Sequence, residues 1–277
     1  MTADLQTTRP RHRLAFIGAG KLAGSVMRGL LRVKFCAAHE IMASEPNEEA
    51  RTQLQTELGI ETTTNSAEAA ARADVIFLGL KPGVVLPLLR EMAETLDGKL
   101  VVSFAAGIRI ASMEAVTTAR IMRVMTNTPS AIARAATAYA AGRRATNEDR
   151  ANVREMFSAI GVAVEVHDDQ IDAVTALAGS GPAFVYTMIE ALARGAVATG
   201  LSQEAALKLA AQTALGAAEL TLTSGMSPEE LRRMVVTPGG TTAAGLAEME
   251  KRSAASAISA AVEASAARGR EMAQEFA

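Results

Sequence analysis

The chain contains no tryptophan, one cysteine and few aromatic residues, which make up 3% of it. So few rings cannot build the stacking platforms on which single-stranded nucleic acids bind. With Cys36 alone, an intramolecular disulfide and a cysteine-based metal cluster are both excluded, which fits the cytoplasm. No metal site is expected. Charge of either sign is lacking in excess. Lys and Arg number 28 and Asp and Glu 30, so neither nucleic acid nor an anionic membrane is an expected partner. No apolar run approaches the roughly 20 residues of a membrane span. The start, MTADLQTTRPRHR, lacks the apolar stretch of a secretory signal. Residues 1–12 read as a disordered tail, and Arg9, Arg11 and Arg13 are either solvated or part of a binding patch.

What is abundant is apolar residue, at 49% of 277 residues, enough for one large or two ordinary domains. Short apolar runs at 14–17, 40–44, 73–80, 100–105, 120–125 and 161–166 predict buried strands. Helical spacing falls between them at 21–33, 46–58, 84–96 and 148–160. Alternation of this kind points to a doubly wound parallel sheet of the Rossmann type over residues 13–167. Past His167 the strand signal stops, and residues 168–178, 182–199, 203–224, 228–234 and 241–276 all read as helix. Ser227, Pro228 and Glu230 form a capping-box start. These helices, over 168–277, are rich in Ala and Gly and thin in core-forming side chains. Either they close on themselves or they complete their core across a dimer.

IGAGKLAG, residues 17–24, lies between a strand and a helix. Gly18 permits a tight turn, Gly20 lets a pyrophosphate approach the backbone, and the helix start offers free N–H groups. Ala23 or Gly24 is small enough for helix to pack on sheet. At the end of the second strand stand Ser44, Glu45, Pro46 and Asn47, and Glu45 is either a ribose ligand that favours NADH or an exposed loop carboxylate. No Arg sits beside it; Arg51 lies a turn into the next helix. Lys81, after the third strand, is a phosphate or substrate contact or a solvated residue. The string MTNTP, with Asn127, forms a wall beside the nicotinamide or a turn held by its own side chains.

FIGAGKLAG, IMASEPN, GLKP, VVSFAAGI, RVMTNTP, DAVTALAGSGPAFVY and VVTPGGTTAAGL together resemble the pyrroline-5-carboxylate reductase family, in that family's order and over nearly the whole chain. The two C-terminal strings are the specific ones, since many reductases share the dinucleotide motif. The resemblance implies NADPH- or NADH-dependent reduction of 1-pyrroline-5-carboxylate to L-proline, the last step of proline biosynthesis. It implies a Rossmann domain, an all-α dimerisation domain, and a homodimer or a larger homo-oligomer with the active site in a cleft of the interlocked dimer. Cofactor contacts carried over by position are Ile17, Gly18, Ala19, Gly20, Lys21, Leu22, Glu45, Asn47, Asn65, Leu80, Lys81, Pro82, Phe104, Ala105 and Ala106; substrate contacts are Thr241 and Thr242. Glu45 stands where several animal members carry Ser, and Met234 where they carry Asn.

The implied substrate is a cyclic imine bearing a carboxylate. A helix N-terminus binds a carboxylate well. Gly239 and Gly240 let such a ligand lie against the backbone, while Thr241 and Thr242 open the next helix, one to cap it and one to meet the ring nitrogen. Thr242 is the expected catalytic residue. Ser180, near the cap of another helix start with Pro182, is a second substrate contact. Without the resemblance, both strings could be ordinary helix starts. A dehydrogenase of 2-hydroxy acids would need a His or Lys base; after His167 there is no histidine and only Lys208 and Lys251, leaving Lys81 as its best candidate. A non-catalytic dinucleotide sensor would have no use for the second glycine–threonine site.

Overall fold

The protein is described by a computed structural model covering residues 13–275. The expected tail, residues 1–12, lies outside the described residues. By its own contacts the chain divides into two units. One runs to Gly179 and takes back the chain from Ser265, and the other is Ser180–Ala264.

The first unit follows the alternation in the sequence. β1 (Leu14–Ile17) leads to α1 (Lys21–Arg32), β2 (Ile41–Ser44) to α2 (Glu48–Leu58), β3 (Glu61–Thr63) to α3 (Ser66–Ala71), β4 (Val75–Leu78) to α4 (Pro82–Glu91) and β5 (Leu100–Ser103) to α5 (Ile110–Glu114). Then come β6 (Arg120–Met125), β7 (Ala135–Ala141), α6 (Asn147–Ala159), β8 (Gly161–Glu165) and α7 (Ile171–Val174). The sheet has eight strands in the order β3-β2-β1-β4-β5-β6-β7-β8. All neighbours are parallel except β6 and β7. The central strands are apolar at every position because helices cover both faces. Leu14, Phe16 and Phe77 face one layer with Val26, Met27 and Leu30 of α1. Ile17, Ile76 and Leu78 face the other with Val85 and Leu89 of α4.

Several elements depart from the expectation. β3 and β7 carry no run of large apolar residues (ETT and AATAYAA), so the sequence gives them no strand signal. The expected doubly wound parallel sheet forms, with one antiparallel pair at β6–β7. α4 ends at Glu91 rather than Leu96.

In the second unit, α8 (Gly181–Ala198) packs on α9 (Gln203–Thr223), followed by α10 (Pro228–Met234) and α11 (Thr241–Lys251). The Ser227–Glu230 capping box forms as expected, with Glu230 N–H on Ser227 Oγ at 3.3 Å and Ser227 N–H on the Glu230 carboxylate at 2.8 Å. The helix expected over 241–276 breaks at Ser253, which takes a left-handed φ of 53°, and resumes as α12 (Ala254–Glu275). The buried core of this unit is three alanines, Ala193, Ala206 and Ala210. Leu192, Leu209, Leu215, Leu220 and Leu222 remain exposed, Leu222 by 76%.

A charged joint closes the first unit. Arg123 on β6 is completely buried and donates to Asp168 Oδ1 at 2.9 Å and Asp172 Oδ1 at 3.3 Å. Arg109 donates to Asp172 Oδ2 at 2.6 Å and to the Asp168 carbonyl at 2.8 Å. Gly269 of α12 lies against Asp172, where an added Cβ would rest at 3.6 Å. β6, the start of α5, α7 and the returning C-terminus thus meet at one ion network. Removing one partner from a buried pair leaves the other charge uncompensated and costs about 3–5 kcal/mol. Arg123→Met is expected to lower unfolding stability by that amount in urea titrations. A loss below about 1 kcal/mol would show that Arg109 alone satisfies Asp172.

Candidate active site

Strand β1 is followed by Gly18, whose φ of 80° only glycine adopts freely. A Cβ there would stand 2.7 Å from the Gly79 carbonyl oxygen, and a Cβ on Gly79 would stand 2.3 Å from the Gly18 oxygen. The two turns are therefore nested backbone on backbone. Gly20 differs: a Cβ on it would meet nothing within 4 Å, so its missing side chain leaves open space in front of α1. Gly20 is also the N-cap, and no side chain caps the helix, whose first N–H groups face outward unspent. An uncapped helix start beside an open glycine fits a dinucleotide pyrophosphate.

Around this turn the carboxyl ends of the strands are knitted together. Gly18 N–H donates to the Ser44 carbonyl at 2.9 Å, Gly79 N–H to Ile17 at 2.9 Å, Phe104 N–H to Leu78 at 3.0 Å and Glu45 N–H to Thr63 at 3.1 Å. Ile17, Gly18, Ala19, Gly20, Lys21, Leu22, Glu45, Asn47, Asn65, Leu80, Lys81, Pro82, Phe104, Ala105 and Ala106 all belong to this edge of the first unit. They reach it in different ways. Ile17 and Phe104 turn their side chains into the core, Phe104 stacked on Phe77 at 5.6 Å, so these residues can offer a ligand backbone only. Lys81 is the N-cap residue of α4 and exposed, and its ammonium has no partner among the described residues.

The asparagines are occupied by the fold. Asn47 Oδ1 accepts from Ala50 N–H at 2.8 Å and caps α2. Asn65 Oδ1 accepts from Ala67 and Glu68 N–H and caps α3. Asn127 is buried, donating to the Ala178 carbonyl at 3.1 Å and accepting from Ala136 N–H at 3.1 Å. It pins the π-helical turn Thr175–Gly179, which runs directly into α8. Such π-turns are uncommon and concentrate at functional sites.

In the sequence Arg51 lies a turn into α2, away from Glu45. The structure turns it back: its Nη1 donates to the carbonyls of Glu45 at 2.8 Å and Pro46 at 2.9 Å. Helical side chains lean toward the N-terminus, which brings a long residue in the first turn over the preceding loop. Gly79 is a second residue that the structure adds to the turn. Its signal was a glycine directly after a buried strand, the same pattern that marked Gly18.

In the second unit, Gly239 adopts a φ of 70°, and a Cβ there would meet nothing within 4 Å. Gly240 is confined by Thr237, whose Oγ1 would lie 2.3 Å from an added Cβ. Gly240, not a threonine, is the N-cap of α11, and no side chain caps that helix. The expectation that one threonine caps it does not hold, because Thr241 and Thr242 occupy the first two helical positions. Neither threonine hydroxyl has a partner among the described residues. Ser180 precedes α8 in helical conformation, with no side-chain cap bond, because the π-turn leaves no extended residue before it.

Comparison with known proteins gives a consistent result. A family model described as pyrroline-5-carboxylate reductase dimerisation matches residues 168–272. One described as NADP oxidoreductase, coenzyme F420-dependent, matches residues 13–107. The chain is 39% identical to a pyrroline-5-carboxylate reductase of Methanosarcina acetivorans, covering 94% of this chain and 97% of the relative. It is also 39% identical to one from Arabidopsis thaliana, covering 95% and 96%. The crystal structure of Plasmodium falciparum pyrroline carboxylate reductase with NADP bound superimposes with a TM-score of 0.86 at 28% identity, covering 95% of this chain and 98% of that one.

The two turn glycines should separate in experiment. Gly18→Ala meets both a left-handed φ and the Gly79 oxygen, and strain and overpacking of this kind cost about 1–3 kcal/mol each. It is expected to lower the melting temperature. Gly20→Ala should leave the melting temperature unchanged and weaken nucleotide binding by about tenfold, roughly 1.4 kcal/mol, in fluorescence titrations. Equal nucleotide affinity in wild type and Gly20→Ala would remove the pyrophosphate from this turn.

Proposed function

The chain belongs to the pyrroline-5-carboxylate reductase family, and from that premise we propose how its residues divide the reduction of 1-pyrroline-5-carboxylate to L-proline by NADPH or NADH. When bound, the reduced nicotinamide supplies a hydride to the ring carbon of the C=N bond. The N–H groups from Gly20 to Leu22 take the pyrophosphate, while Ala19 N–H stays on the Glu45 carboxylate, and Lys81 adds a positive charge at the same edge of the sheet. Backbone at Leu80, Pro82 and Phe104–Ala106 walls the nucleotide. Asn47, Asn65 and Asn127 act by holding α2, α3 and the π-turn in place.

The substrate carboxylate is assigned to the free N–H groups at the start of α11, with Gly239 admitting it against the backbone and Gly240 making room for Thr237. The hydroxyl of Thr242 hydrogen-bonds to the ring nitrogen, and Thr241 and Ser180 complete the substrate contacts. A protonated cyclic imine is already electrophilic. Hydride addition at carbon turns the iminium into a secondary amine, with no alcohol proton to abstract. Orientation and exclusion of water carry the catalysis. A general base is not required, which agrees with the absence of histidine after His167. The observation that carries this assignment is the start of α11, an uncapped helix with two hydroxyls that the fold does not use.

The assembly is proposed as an obligate homodimer, open to further association. A core of three alanines cannot sustain a helical unit, while leucines on α8 and α9 stand in water. Burying such side chains is worth about 1.5–3 kcal/mol each, enough to make the dimer the folded state. The half-buried lone Cys36 is compatible with the cytoplasm.

Two measurements test the reading. Thr242→Ala and Thr242→Val both remove the hydroxyl, and Val keeps the volume. A hydrogen bond to a charged or polar ligand is worth about 1.5–3 kcal/mol, so kcat/KM for the pyrroline should fall roughly ten- to a hundredfold in both, with nucleotide affinity unchanged. Full activity in both variants would return Thr242 to a structural role. In sedimentation at low micromolar concentration no monomer is expected; a folded, active monomer would refute the obligate dimer.

A further inference from the structure

Glu45 is held on both sides. Its Oε2 accepts from Ala19 N–H at 3.1 Å, inside the glycine turn, and its Oε1 accepts from Asn47 N–H at 3.1 Å, at the cap of α2. One carboxylate therefore bridges the ends of β1 and β2. Its backbone is fixed as well, by its N–H on the Thr63 carbonyl at 3.1 Å. In a sheet of this order, the end of the second strand is where the adenosine ribose of a dinucleotide lies. The carboxylate keeps lone pairs there for ribose hydroxyls, and the two backbone donors stop it from swinging away.

Arg51 lies on the same loop. One of its guanidinium nitrogens is taken by the Glu45 and Pro46 carbonyls, and the other two have no partner among the described residues. A fork of donors against this loop is the chemistry that binds a phosphate monoester. It stands beside a carboxylate that repels one.

We infer that Glu45 selects NADH over NADPH, and that Arg51 is a latent site for the 2′-phosphate which the Glu45 charge keeps closed. The inference rests on the reading that the first unit binds a nicotinamide dinucleotide. It goes beyond that reading by assigning preference to two residues of opposite charge. The 2′-phosphate carries nearly two negative charges near neutral pH. Its repulsion by a fixed carboxylate, partly screened by solvent, corresponds to an affinity difference on the order of tenfold.

The test measures dissociation constants of NADH and NADPH for the full-length protein, without pyrroline substrate, in wild type, Glu45→Ser and Glu45→Ser/Arg51→Gln. Wild type should bind NADH about tenfold more tightly than NADPH, and the ratio should shrink as salt is raised. Glu45→Ser should bind NADPH about tenfold better and NADH several-fold worse. Adding Arg51→Gln, which keeps a donor for the loop carbonyls, should abolish the NADPH gain and leave NADH unchanged. Wild-type preference for NADPH, or an unchanged ratio in Glu45→Ser, would overturn the role of Glu45. An NADPH gain that survives Arg51→Gln would overturn the role of Arg51. A folded wild-type protein that binds neither nucleotide would overturn the dinucleotide reading beneath the inference, so the two failures are distinct.

Discussion

The nucleotide unit is organised by the contact of two glycines. Gly18 and Gly79 follow adjacent parallel strands and touch backbone to backbone, with no room for a Cβ on either. Because the turns nest, β1 and β4 stay in register to their last residues, Ile17 opposite Leu78. The helices that follow then leave in opposite directions. α1 goes to the face of Phe16 and Phe77, and α4 to the face of Ile17 and Leu78. Their divergence opens the sheet edge at the point where strand order reverses, which is where ligands bind in such folds. The Glu45 clamp depends on the same contact, since Ala19 N–H can meet the carboxylate only if the turn holds its shape.

The parts of this architecture legible in the sequence are those where a local rule and the tertiary environment agree. LAFI followed by GAG predicted both β1 and the turn, because a strand buried on both faces must be apolar throughout and a reversal into a helix needs glycine. The capping box at Ser227 was legible because its partners are three residues apart. β7 was not: AATAYAA has small side chains that earn no strand signal, and its direction is set by pairing with β6. The break at Ser253 was hidden for the opposite reason, since Ala-rich helical periodicity continues through it. The pairing of Glu45 with Ala19 spans 26 residues, and no spacing rule reports a contact of that kind.

Stability and function are linked through the second unit. Its helices carry small residues where they face one another, so α8 and α9 approach closely but bury little. Apolar side chains that a self-sufficient helical domain would turn inward are left outward on the same helices. Within one chain this is a deficit, and in the proposed two-fold dimer each such side chain would find a mate. The start of α11 belongs to this unit, so the proposed carboxylate site becomes rigid only to the degree that the assembly is formed. Anything that loosens the proposed dimer should therefore act on substrate affinity before it acts on the nucleotide, whose proposed site lies in a unit with its own two-layer core.

The site also departs from the usual picture of recognition by polar side chains. The amide carbonyls of Asn47, Asn65 and Asn127 each accept from backbone N–H groups, and these residues shape the site without offering it their main acceptor. Toward a ligand the first unit offers chiefly backbone N–H at the start of α1, with Glu45 and Lys81; the second unit, taken by itself, offers backbone N–H at the start of α11 and two threonine hydroxyls. Backbone donors do not titrate, and they are set in place by folding before a ligand arrives, so they stabilise an anion without reorganising. Both partners in this reaction are anionic, one through a pyrophosphate and the other through a carboxylate, and an iminium needs no acid or base from the protein. An enzyme for this chemistry can therefore rest on helix starts and glycines, with charge reserved for choosing between two nucleotides that differ by one phosphate.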